Sequence, residues 1–271
     1  DSAEPRKEIP LFGMGAILGP VFGPSLGGWL TDTMSWRWIF LINLPIGAFA
    51  LFFFVMFLDK RRNEKASAFD ATGFILLSVF ILSSQLMLDR GQQLDWFDST
   101  EILIEATIAG LFGFLALVHM FTVPNPFIKL AIFADRNFVI GLMVTIAHGM
   151  LIFAVLALMA PMMQHLMGYS VMETGNIAAP RGMGTFFAMF AAGALVNRID
   201  ARYLIMFGLA LASFTLWLMA HFSLEMDSWP MIWTGFLQGF GGGLVFVPST
   251  TLMMATIPPQ LRNETSALIS L

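Results

Sequence analysis

Long apolar runs alternate with short polar breaks along the chain, and the runs are close to one length. A helix needs about 20 apolar residues to cross the hydrocarbon core of a bilayer. Eight runs fit that rule: 10–31, 37–58, 71–88, 102–122, 138–160, 175–196, 203–222 and 231–254. A ninth begins over Glu264–Leu271. Two breaks are longer. Leu88–Thr100 is polar and carries Trp96 at a membrane interface. Val123–Asn137 holds two prolines and an amphipathic FIKLAIF segment, which predicts a linker lying on the membrane surface. The pattern predicts an all-α polytopic membrane protein of about eight transmembrane helices.

Composition agrees. The 271 residues are 57% hydrophobic and 12% charged, against about 25% charged in soluble domains, and the mean hydropathy is +0.77. The net charge of -4 sits in the breaks and points to no nucleic-acid partner. With no cysteine, a disulfide framework, a thiolate metal site and a cysteine nucleophile are excluded. There is no GxxxxGK[ST] loop and no HExxH pair, so ATP hydrolysis within this chain and that zinc chemistry have no support. The chain opens on polar DSAEPRKE and closes within an apolar run, so it reads as a fragment of a longer membrane protein.

The cations orient the spans. If the first residues are cytoplasmic, Arg6, Lys7, Lys60, Arg61, Arg62, Lys65, Lys129, Arg136, Arg198, Arg202 and Arg262 fall on that side, eleven of the 14. Only Arg37 and Arg90 fall outside, and Arg181 lies within a span. Cytoplasmic loops carry such an excess of Lys and Arg. Trp29, Trp36, Trp38, Trp96 and Trp229 gather near the outer ends, as an aromatic belt would.

The first span is the unusual one. Gly15, Gly19, Gly23 and Gly27 recur every four residues, with Pro20 and Pro24 at the same spacing and Gly28 closing the run. One helical face is thus bare, and another backbone can approach it closely. The stripe is either a static packing face or a hinge and seam on which helix bundles move. Among buried polar residues, Arg181 either snorkels to the outer interface from about 9 Å or serves gating, coupling or substrate binding. His148, mid-span, is either a proton relay or a neutral packing residue. Asn43, Gln164, Gln238, Thr145 and Thr185 either line a cavity or hydrogen-bond between helices. Asp32 is placed to pair locally with Arg37. Twenty Met and 28 Phe suit walls that adapt to varied apolar ligands, and suit lipid-facing surface equally.

These residues carry a family resemblance. GxxxGPxxGPxxGG over Gly15–Gly28 resembles the antiporter motif of the major facilitator superfamily, in the fifth helix. WRWIFLINLPIG (Trp36–Gly47) is similar to the start of the sixth helix in its fourteen-helix drug:proton antiporters, the EmrB/QacA type. Ala179–Gly208 resembles the tenth and eleventh helices and Gln238–Pro248 the twelfth. The resemblance implies a partial major facilitator fold, about 8 helices of an expected 14. It divides the chain into 1–66 (helices 5 and 6 and a cytoplasmic loop), 67–136 (two linker helices and a cytoplasmic linker) and 137–271 (helices 9–12 and the start of 13).

It also implies a function. The expected protein is a transporter in the bacterial cytoplasmic membrane, not an enzyme. It exports amphipathic, drug-like, often cationic compounds in exchange for protons, with no cofactor or metal beyond the proton gradient. In Gram-negative relatives a periplasmic adaptor protein is the partner. A same-fold exporter of a specific metabolite, siderophore or lipid-like substrate is the alternative. Gly15, Gly19, Pro20, Gly23, Pro24, Gly27 and Gly28 would serve the conformational change, and Arg181, His148, Asn43 and Gln238 the coupling or substrate cavity. The proton-carrying residues of the first bundle would lie upstream of this chain.

Overall fold

In the computed structural model, residues 23–57, 69–196, 198–258 and 261–270 are described, and they form helices and turns with no strand among them. Gly15, Gly19 and Pro20 lie outside the described residues. The helices are α1 (from residue 23 to 33), α2 (Trp38–Leu41), α3 (Asn43–Phe57), α4 (Ala71–Arg90), α5 (Thr100–Thr122), α6 (Arg136–Pro161), α7 (Val171–Leu195), α8 (Ala201–Met219), α9 (Ser228–Ala255) and α10 (Arg262–Ser270). They follow the expected spans closely. Six helical stretches among the described residues are long and apolar enough to cross a membrane. The protein is an all-α, multi-pass membrane protein.

The chain forms two compact units, residues 1–60 with 140–255, and 61–139 with 256–271.

In the first unit, α9 is the central helix, packed against α7 and α8. Glycine lets the backbones meet. A Cβ at Gly241 would lie 2.8 Å from Gly208 O of α8, and one at Gly239 would fall onto Arg181 O of α7. Thr185 Oγ1 bridges the α7–α9 contact, 3.1 Å from both Arg181 O and Gly239 O. Pro161 has no N–H to donate, and α6 widens there into a π turn over Met162–Leu166. Gly168, at φ +75°, then reverses the chain. A capping box starts α7: Ser170 Oγ accepts from Glu173 N at 3.1 Å and Glu173 Oε2 accepts from Ser170 N at 2.8 Å.

In the second unit α4 and α5 form a hairpin with an ionic node at each end. Asp70 caps α4 by accepting from Gly73 N at 3.0 Å. It also accepts from Phe127 N at 2.9 Å and lies 2.9 Å from His119 Nε2. These bonds, the one from Gly73 foremost, hold its carboxyl below the usual carboxylate range. At the other end Arg90 pairs with Glu101 and lies 3.7 Å from Glu105 Oε1. Glu105 is buried five residues into α5.

Within Val123–Asn137, Ile128 and Ile132 are buried and Lys129 Nζ donates to Glu264 Oε1 at 2.6 Å. One expectation changes. Asp32 does not pair with Arg37. Its carboxylate accepts from Met172 N at 2.9 Å, where the positive end of the α7 dipole and a free N–H favour it. Arg37 instead lies over the Trp36 ring, 5.6 Å from its centroid.

Candidate functional site

Three helices of the first unit turn stripes of one periodicity toward a common space. On α6 and the π turn that follows it the stripe is His148, Ile152, Val155, Met159 and Met163. On α7 it is Thr174, Ile177, Arg181 and Thr185, and on α9 Met231, Gly235, Gln238, Gly242 and Phe246. Steps of three and four residues keep such side chains on one helical face. Met219 and Phe222 close one wall and Pro24 of α1 reaches its edge. They enclose a cavity of about 520 Å³, within the 300–1,000 Å³ range of sites for drug-sized ligands.

The walls are mostly Met, Phe and aliphatic, so the polar groups stand out. Arg181 is ten residues into α7, because the helix starts at Val171 and not at 175. At 1.5 Å per residue that is about 15 Å from the N-terminal end of the helix. Its Nη2 lies 3.5 Å from Ile152 O, a long contact, and it forms no ion pair among the described residues. His148 is 6% exposed, and neither ring nitrogen has a hydrogen-bond partner among the described residues. Its Nε2 packs against α9 where a Cβ at Gly242 would stand 3.0 Å away. Gln238 is 4% exposed and its Oε1 also lacks a partner. Native interiors rarely leave buried polar atoms unsatisfied.

The structure therefore brings Arg181, His148 and Gln238 together, with Thr185 beside them. Asn43 is elsewhere: it is exposed on α3 and donates from Nδ2 to Ile39 O at 3.0 Å. Thr145 donates within α6 to Gly141 O. Thr174 and the Met-lined stripe of α6 are cavity residues that the sequence reading missed. Their one signal was the run of three- and four-residue steps that joins them to Arg181 and His148. No three His, Asp or Glu side chains gather as metal ligands among the described residues.

Among the described residues, nothing lies within 4 Å of a Cβ built on Gly23 or Gly27. The close approach falls on the neighbouring line, Pro24 and Gly28. A Cβ at Gly28 would stand 2.9 Å from Val171 O and 3.0 Å from Met172 Cα, and one at Gly175 would fall onto Pro24 O. Seen down the helix this line is about 100° from the glycines. The proline line is therefore the one that meets α7.

Sequence comparison places this membrane-spanning bundle in a family. The profile of the Major Facilitator Superfamily matches residues 9–271. The chain belongs to that superfamily, a family of transporters. It is 34% identical over 262 residues to the multidrug export protein EmrB of Escherichia coli K12, covering 96% of this chain and 51% of that protein. It is 34% identical over 248 residues to the fatty acid resistance protein FarB of Neisseria gonorrhoeae, covering 91% and 49%. It is 29% identical over 272 residues to the multidrug resistance protein Stp of Mycobacterium tuberculosis, covering 100% and 50%. The chain spans about half the length of these relatives.

Proposed function

We propose that this chain is part of a proton-coupled exporter of amphipathic, drug-like compounds, and that the cavity among α6–α9 is its half of the substrate site. One observation carries this reading: a cavity of about 520 Å³ at membrane depth, walled by Met and Phe, with three unsatisfied or unpaired polar groups in it. Flexible thioethers and aromatic faces fit many apolar shapes. The names of the relatives, multidrug export and multidrug resistance, support the same reading. Buried polar groups without a partner among the described residues give water or a ligand polar groups to bond.

The seam of Pro24 and Gly28 on Gly175 and Val171 would be a surface along which helices move in alternating access. Gly15, Gly19 and Pro20 extend the same motif. The energy source would be the proton gradient, with no cofactor. The cation distribution supports a start on the cytoplasmic side of the bacterial inner membrane. In a Gram-negative envelope the partner would be a periplasmic adaptor protein.

The test is reconstitution of the protein that carries this chain into proteoliposomes under an imposed pH gradient. Uptake of several unrelated amphiphiles, each with matching proton flux, is expected. Flux of one compound alone would favour a dedicated metabolite or lipid exporter. Absence of any proton-coupled flux would refute the proposal.

A further inference from the structure

We propose that the methionine cluster at one end of the cavity binds a soft monovalent metal cation, Cu(I) or Ag(I), through thioether sulfurs. Met163 and Met231 are buried and pack together with Ile177, and Met159, Met162, Met167 and Met226 pack against them. Six thioethers thus meet in one place. They come from the end of α6, the π turn, the turn after it, the α8–α9 loop and the start of α9. One short run, Met159 to Met167, supplies four of them. In a regular α-helix, neighbours such as Met162 and Met163 point about 100° apart. The π turn over Met162–Leu166 widens the helix there, and both side chains reach the cluster. Met159, Met163 and Met231 also line the cavity, which gives a cation a path in.

Thioether sulfur is a soft, uncharged ligand, and soft ligands select Cu(I) and ions like it. The side chains around the sulfurs, Ile177, Tyr169, Phe222 and Ile232, are apolar or aromatic. Hard cations such as Mg2+ and Ca2+ need carboxylate or carbonyl oxygens in place of their water, and this shell favours them little. Charge at the rim draws cations in. Glu225 and Asp227 flank Met226 and are exposed, and Glu173 lies one turn from Ile177 on α7. Arg181 opposes them, but its Nη2 lies against Ile152 O, eleven residues before Met163 and so about 16 Å along the helix. Repulsion weakens over that distance, and the rim carboxylates offset it. A cation shared by Met163 and Met231 would join the π turn to the start of α9.

Methionine also fills gaps in apolar cores, and leucine separates the two roles. It keeps volume and apolarity at small cost to the fold, and removes the sulfur. The protein that carries this chain, purified in mild detergent without chloride, is titrated with silver nitrate, and with Cu(I) against a chromophoric competitor. Tight one-to-one binding at micromolar free metal is expected. The pair Met163→Leu with Met231→Leu should weaken it tenfold or more. The pair Met143→Leu with Met206→Leu, exposed on α6 and α8, should leave it unchanged. In selenomethionine-labelled protein, X-ray absorption at the metal edge should show selenium neighbours. That measurement decides the matter on the unaltered fold, even if the first leucine pair fails to fold. Absence of binding, a metal shell without selenium, or equal binding in wild type and the first leucine pair overturns the site. An equal loss in the control pair overturns it too. Proton-coupled flux is measured without metal, so the exporter reading stands or falls separately.

Discussion

Replacing Gly239 with Ala should loosen the contact between α7 and α9, while the same change one turn earlier, at Gly235, should not. A Cβ at Gly239 falls onto Arg181 O, a backbone atom that cannot rotate away, and would stand 3.0 Å from Thr185 Oγ1. A Cβ at Gly235 has as its nearest neighbour Arg181 Cβ at 3.9 Å, an ordinary contact. Overpacking of a tight interior costs about 1–3 kcal/mol. Separating the helices also stretches the Thr185 bond to Gly239 O, worth about 0.6 kcal/mol in a membrane. Against this, Ala gains roughly 1 kcal/mol over Gly in a helix. The net expectation for Gly239→Ala is a loss of about 1–2.5 kcal/mol. For Gly235→Ala it is neutral or a gain of up to about 1 kcal/mol. Thermal unfolding of the purified protein in a mild detergent, followed by helical circular dichroism, reads the difference. Equal midpoints for the two variants would refute the assigned contact.

Other substitutions test other contacts. Gly28→Leu should push α1 off α7 and speed hydrogen exchange at the Met172 amide, which bonds Asp32 Oδ2 at 2.9 Å, by tenfold or more; Gly27→Leu, with nothing within 4 Å of a Cβ there among the described residues, should leave it unchanged. Ser170→Ala should remove the cap of α7 and cost about 1 kcal/mol in chemical unfolding. The Asp70 carboxyl is held below its usual range in the fold, so its contribution is present above about pH 4 and fades as pH falls further. Asp70→Asn should therefore flatten the acid limb of the stability profile and lower stability at neutral pH. A wild-type limb that survives in the variant would locate the acid sensitivity in another group.

Hydropathy alone determined a great deal here. The spans, their order and the α7 region followed from run length, because a bilayer core demands about 20 apolar residues whatever the neighbours are. The positions of Arg181, His148 and Gln238 were legible for a related reason. A polar side chain within an apolar run is costly and so conspicuous. Their convergence was not legible, since side chains 33 and 57 residues from Arg181 meet it only after α6, α7 and α9 pack.

Tertiary structure alone decided which line of the first helix makes contact. Gly23, Gly27, Pro24 and Gly28 all fit a small-residue face, and a repeat of four gives two neighbouring lines that the sequence cannot rank. Packing against Gly175 and Val171 selected Pro24 and Gly28. It also chose the partner of Asp32, because a free N–H at the start of α7 outcompetes an exposed arginine five residues along. It fixed the start of α7 too, since the capping box at Ser170 begins the helix four residues before its apolar run. Periodicity specifies which face of a helix is unusual. Only the neighbouring backbone specifies what that face meets.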